Sequence, residues 1–232
     1  MIRIDMYFTY ARLIPAIIVS FPFWFLLYDL NQIPQVADVL SSMLAVKWIG
    51  NVSVSVAFQF AWAMLVREIG KRYEEKYFEC QKRLPSVYFL MKADSMFSDE
   101  FMQRLRGKVL SDFNLKLPKK VTEDDRIYSD IAKMVLEKVK YVKEVVRHNA
   151  WYGFYRNLFS GGILGLILSV VMIMAGVAQK QSYSIWGGAI LSVVYLAMFL
   201  LKRKVITSNG ERFARQMYYS YLNLDSSKQQ TA

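Results

Sequence analysis

Two side chains in this sequence have intrinsic reactivity near neutral pH: His148, the single histidine, and Cys80, the single cysteine. An imidazole becomes a general base or a metal ligand when a second ligand or an orienting carboxylate stands beside it. His148 lies between Arg147 and Asn149 with no histidine partner, so it reads as a surface or packing residue. Cys80 has no C-x-x-C partner, and a lone thiol in a reducing compartment is ordinarily inert. Glu123-Asp124-Asp125 could hold a divalent ion, but it follows Thr122. Acidic residues just after a capping threonine are explained by the positive end of a helix. Gly70-Lys71-Arg72 lacks the upstream glycine and the following Ser or Thr of a phosphate-cradling loop. The expectation is a non-enzymatic protein with no catalytic, cofactor-binding or metal site.

The elements that carry these residues alternate between apolar and charged blocks. The chain has 232 residues, a formal net charge of +11 and 54% hydrophobic residues. That apolar content excludes disorder, and one cysteine excludes a disulfide scaffold. A basic balance of this size points to nucleic acid or to an anionic membrane. Four stretches are free of acidic and basic residues over lengths near the ~20 needed to cross a hydrocarbon core. They predict spans at about 10–29, 46–66, 157–179 and 181–201, the first with Pro15 and Pro22 inside it. The expected fold is therefore an all-α membrane protein. It has four transmembrane helices and a mainly helical cytosolic insert between spans 2 and 3. Residues 1–66 form one transmembrane hairpin, 67–156 the cytosolic domain, 157–201 a second hairpin and 202–232 a cytosolic tail.

Charge sets the orientation. The segment 67–156 carries net +6 and the tail 202–232 net +4, while residues 29–46 hold Asp29 and Asp38 and no cation. Basic flanks stay on the cytoplasmic side. Both termini and the insert are thus expected inside, in a bacterial inner membrane.

Inside the insert, Val66–Leu84 predicts a helix stopped by Pro85. Residues 87–91 fit a strand or a helix equally. Ser98 predicts a cap for a helix from Asp99 to about Phe113. Thr122 predicts the cap of the next, whose apolar positions from Ile127 to Val146 fall in steps of three and four. That helix is expected to run toward Trp151 and break near Gly153. Lysines interleaved with Glu137 and Glu144 suit a solvated face, and nucleic acid is not an expected partner. Phe213, Met217, Tyr221 and Leu224 make a stripe for the membrane surface or for the cytosolic domain.

Within lipid, helices associate through close packing and polar contacts rather than through burial of grease. Gly161, Gly165 and Ser169 in span 3, and Ser53, Ala57 and Ala61 in span 2, recur at steps of four. They suit packing within the chain or a homo-oligomer seam. Asn51 and Gln59 are polar residues inside span 2, able to bond across helices or to line a pore.

Two motifs flank the insert. Arg67-Glu68-Ile69-Gly70-Lys71-Arg72 with Glu74 and Phe78 leaves span 2. Asn149, Tyr152-Gly153-Phe154 and Arg156-Asn157-Leu158 lead into span 3. Gly153 suits a turn or a close approach, Arg156 a phosphate or a helix end, and Asn157 a cap for span 3. Together they resemble a family of bacterial inner-membrane proteins in which R-x-x-G-K-R-x-E-x-x-x-F and N-x-x-Y-G-F-x-R-N-L flank a cytosolic insert. The family's W-G-G-x-P-T stretch is absent, and Cys80-Gln81-Lys82-Arg83-Leu84-Pro85-Ser86 stands in its place. The resemblance implies a four-span membrane protein and supplies no activity. The expected partners are the lipid bilayer, further copies of the chain and a cytosolic protein. The expected role is a membrane-perturbing effector of a defence or toxin-type system, or alternatively an oligomeric channel or small-solute carrier.

Overall fold

The computed structural model describes residues 6–31, 49–78, 85–91, 96–118 and 126–228. Side chains are described for these except at 6, 29–31, 49–55 and 225–228. Cys80, residues 119–125 with Thr122 and its acidic residues, residues 32–48 with Asp38, and the side chains of Asn51 and Ser53 lie outside the described residues.

All regular structure in the described residues is helical. A short piece, Met6–Phe8, passes through a π-helical stretch, Thr9–Leu13, into α1 (Ile14–Asn31). Then come α2 (Ile49–Tyr77), α3 (Pro85–Met91) and α4 (Asp99–Phe113). The chain continues as α5 (Arg126–Val139), α6 (Lys143–Gln179) and α7 (Ser182–Lys228). Residues 87–91 are thus helical, with Pro85 at the first position, where its missing N–H costs nothing. Ser98 Oγ accepts from the Phe101 N–H at 3.3 Å, and Asn114 closes α4 in the left-handed region with φ 55°. Asparagine tolerates that conformation better than most residues do.

Among the described residues, three helical segments are long and apolar enough to cross a membrane: Thr9–Tyr28, Lys143–Gln179 and Ser182–Leu224. The second expected span falls on α2, which turns charged from Arg67 onward. One expectation changes. The helix holding the 127–146 pattern ends at Val139, and α6 then runs unbroken through Gly153. Beyond the expected span at 181–201, α7 continues to Lys228.

The chain divides into two compact units. One comprises Met1–Tyr73 with Gly153–Val205, the other Glu74–Tyr152 with Ile206–Ala232. The residues expected to form a tail belong largely to the second unit.

The first unit packs small residues against bulky ones. A Cβ on Gly161 would lie 3.0 Å from both Val19 of α1 and Val66 of α2. One on Gly165 would lie 2.7 Å from the Tyr195 ring of α7. Buried Ser169 donates to the Gly165 carbonyl at 2.7 Å, and its own carbonyl lies 2.9 Å from where a Cβ of Gly188 would sit. The span 3 stripe is therefore occupied by helices of the same chain. Ala57 and Ala61 lie instead on the exposed side of α2.

Prolines control α1. Each proline lacks the N–H that would reach the carbonyl four residues back. Pro15 leaves the Ala11 carbonyl without that donor, and Pro22 does the same to Ile18. Both carbonyls are capped from other helices. The Asn157 amide donates to Ala11 O at 2.5 Å, and the Tyr195 hydroxyl donates to Ile18 O at 2.5 Å. The π-helical stretch lies immediately before Pro15, where the proline ring would otherwise press on the preceding turn.

The second unit has an ordinary aliphatic and aromatic core. Phe78, Val87, Leu90, Leu105, Val109, Ile131, Val135 and Val139 meet Phe213, Met217, Tyr218 and Tyr221 of α7 in it. Of the two settings open to the 213–224 stripe, packing in this helical unit is the one observed. The Tyr218 hydroxyl donates to Ser86 O at 2.9 Å, and that of Tyr221 to Asp112 at 3.0 Å. On the solvated side Lys140 pairs with Glu137, which raises the lysine pKa.

The glycines of the two units should respond oppositely to alanine. Gly107 is exposed on α4 with nothing within 4 Å of an added Cβ. Gly107→Ala should stabilise the protein by about 0.5–1 kcal/mol. Gly165→Ala must displace the Tyr195 ring and should destabilise by about 1–3 kcal/mol. Thermal unfolding in detergent reads both signs, and a stabilising Gly165→Ala would refute the packing described.

Candidate functional site

The two motifs are about 80 residues apart in sequence, and each compact unit brings a part of them together. In the first unit Gly70 of α2 meets Asn157 of α6. A Cβ on Gly70 would stand 2.6 Å from Asn157 Oδ1 and 3.5 Å from Arg156 Nε. Only a residue without a side chain permits that approach. Asn157 is fully buried and uses both ends of its amide. Its Nδ2 donates to Ala11 O, and its Oδ1 accepts from Arg156 Nε at 3.2 Å. Gly153 lies one turn earlier on α6. A Cβ there would fall 2.7 Å from the Ala11 Cβ and 3.4 Å from the Tyr7 hydroxyl.

These contacts decide between expectations. Of the two uses open to Gly153, the close approach is seen: it admits the π-helical stretch against α6, which runs unbroken through it. Asn157 caps no helix, because α6 is continuous through it. Its amide serves the carbonyl orphaned by Pro15. Arg156 is 8% exposed, and its Nε donates to Asn157 Oδ1.

In the second unit the Tyr152 hydroxyl donates to Glu74 Oε1 at 2.7 Å, with both residues buried. The Tyr152 ring stacks on Phe213 with centroids 6.1 Å apart. Gly210 makes room, since a Cβ there would lie 2.8 Å from Phe78 and 3.3 Å from Tyr152. A hydrogen bond to a buried carboxylate is stronger than a neutral one, so this pair fixes α6 against the start of the unit. Asn149 sits half-buried on α6.

A second polar cluster lies between α1 and α2. Gln59 Nε2 donates to Ser20 Oγ at 3.1 Å, and Trp24 Nε1 donates to the same oxygen at 3.2 Å. Ser20 is fully buried and in turn reaches the Ile17 carbonyl at 3.1 Å. Of the two uses open to Gln59, the bond across helices is made here.

Sequence reasoning missed Ser20 and Tyr195, and named Glu74 as a motif residue without its partner. One signal was present: Ala11 and Ile18 each stand four residues before a proline, which announces two carbonyls in need of donors. Which side chains would answer depends on tertiary packing. Chemically these clusters join helices. Among the described residues no group of three His, Cys, Asp or Glu side chains is placed to hold a metal ion. Compared with family models, curated proteins and solved structures, the chain finds no match.

Two substitutions probe the motif contacts. Tyr152→Phe leaves the ring stack and removes a donor from buried Glu74, and should cost about 1–3 kcal/mol. Gly70→Ala forces Asn157 away from Ala11 and should cost a similar amount, about 1–3 kcal/mol. Unchanged unfolding midpoints for both would show that the motifs do not act as joints.

Proposed function

We propose that this chain is a non-enzymatic integral protein of the bacterial inner membrane. It has four spans and a cytosolic helical domain that receives a partner or signal. The observation that carries the reading is the outward surface of the first unit. Trp186, Leu200, Val193 and Met174 are 71%, 70%, 68% and 66% exposed on helices that are themselves apolar enough to cross a membrane. Apolar side chains in such number face lipid rather than water.

The fourth span is α2. Its polar Gln59 is bonded to Ser20 of α1, which is how a polar side chain is accommodated inside hydrocarbon. The basic excess of residues 67–156 and 202–232 supports a cytoplasmic placement of the second unit and of both termini. The exposed Ala57 and Ala61 on α2 suit self-association, since the corresponding small residues of α6 are taken up within the chain. A membrane protein that self-associates and carries a cytosolic domain suits a membrane-perturbing effector of a defence or toxin-type system, by analogy of architecture.

Overexpression should place the protein in the carbonate-resistant membrane fraction, give a detergent-solubilised mass above the monomer and depolarise the cell. Ala57→Leu with Ala61→Leu should lower the mass to a monomer and abolish depolarisation while leaving thermal stability within about 0.5 kcal/mol. A protein released by carbonate would refute the membrane reading. A monomer that still depolarises the cell would refute the self-association.

A further inference from the structure

Within the first unit, four helices bring basic residues to one layer. The α2 turn Gly70–Tyr73 touches α6 at Arg156 and Asn157. The same turn touches α7, where the Lys202 amine lies 3.2 Å from the Phe199 ring centroid and 5.0 Å from that of Tyr73. Lys71 and Arg72 belong to this turn, and Arg203 and Lys204 follow Lys202 with exposed side chains. Asn157 holds Ala11, so Arg12 joins the layer, its guanidinium 5.7 Å from the Tyr7 and Phe8 rings. Among the described side chains of this unit the single carboxylate is Glu68. Glu74 and Glu75 follow on the same helix α2, and the cations of the layer outnumber these three carboxylates.

The surface next to this layer is apolar. Met64 and Leu65 of α2 and Leu200 and Leu201 of α7 are exposed within two turns of it. A ligand that matches both surfaces has an anionic head and a long apolar body. We propose that this layer binds the phosphate headgroup of an anionic phospholipid, with the acyl chains lying along the exposed faces of α2 and α7. Free phosphate would satisfy only the cations. Each cation near an anionic bilayer surface adds attraction that changes affinity about 5-fold, and aromatic rings hold the Lys202 amine and the Arg12 guanidinium in place.

The inference rests on the membrane reading, and the test separates the two. The full-length protein is inserted into nanodiscs of phosphatidylcholine mixed with phosphatidylglycerol, and the lipid retained after detergent extraction is measured. Phosphatidylglycerol should be enriched over phosphatidylcholine, with the enrichment falling at high salt. Lys71→Gln with Arg72→Gln, and separately Arg203→Gln with Lys204→Gln, should each lower it by about 5-fold per cation removed. Lys133→Gln with Lys140→Gln, in the other unit, should leave it unchanged. Equal retention of both lipids, enrichment insensitive to both cation pairs, or its displacement by inorganic phosphate alone would overturn the proposal. A chain that does not insert into nanodiscs at all would instead overturn the membrane reading beneath it.

Discussion

A helix in hydrocarbon has no water to satisfy a carbonyl that lacks its donor. The first helix of this protein contains two prolines, and each creates such a carbonyl. Pro15 strips Ala11 and Pro22 strips Ile18 of the bond that an ordinary helix would supply. The helix is tenable because Asn157 and Tyr195 reach those two oxygens from α6 and α7. An unpaired buried carbonyl costs about 1–3 kcal/mol, a large share of the stability of a typical domain. The position of α1 is therefore set by the other helices, and its own sequence demands that they be there.

Much of the first unit can be understood as making room for those two bonds. Asn157 reaches Ala11 because Gly153 lets the π-helical stretch lie against α6 and because Gly70 lets α2 come up behind the amide. Tyr195 reaches Ile18 because Gly165 leaves its ring a flat bed and Gly162 lets the α7 backbone draw near. The glycines that look like a generic small-residue stripe are thus individually assigned. Gly161 receives Val19 and Val66, Gly165 receives Tyr195, and Gly188 receives Ser169 and Ile173. The second unit has an aliphatic and aromatic core, in which Gly210 makes room for the Phe78 and Tyr152 rings and Tyr152 donates to Glu74.

The helical nature of the chain was legible from apolar runs and capping residues. The helix Asp99–Phe113 follows its Ser98 cap to the residue. Ile131 and Val135 are buried as their spacing requires, although Met134 of the same pattern is 41% exposed. What failed was the placing of a helix break. Gly153 looks like a break, yet a glycine inside a long helix is tolerated where another backbone must come close. The motif residues were recognised as a set, but their roles were not, because Asn157 answers a proline in another helix and Glu74 answers a tyrosine about 80 positions away. Such pairings are tertiary, and local pattern does not carry them.

The dependence of α1 on a donor from α7 can be tested by a double-mutant cycle on Pro22 and Tyr195, read by equilibrium unfolding in mixed micelles. Pro22→Ala returns an N–H to the Ile18 carbonyl, so Tyr195→Phe should cost less in that background than in the parent. A coupling of about 0.6–1.7 kcal/mol is expected, the range found for hydrogen bonds between membrane helices. Strictly additive effects of the two substitutions would mean that Tyr195 does not serve the carbonyl that Pro22 leaves open.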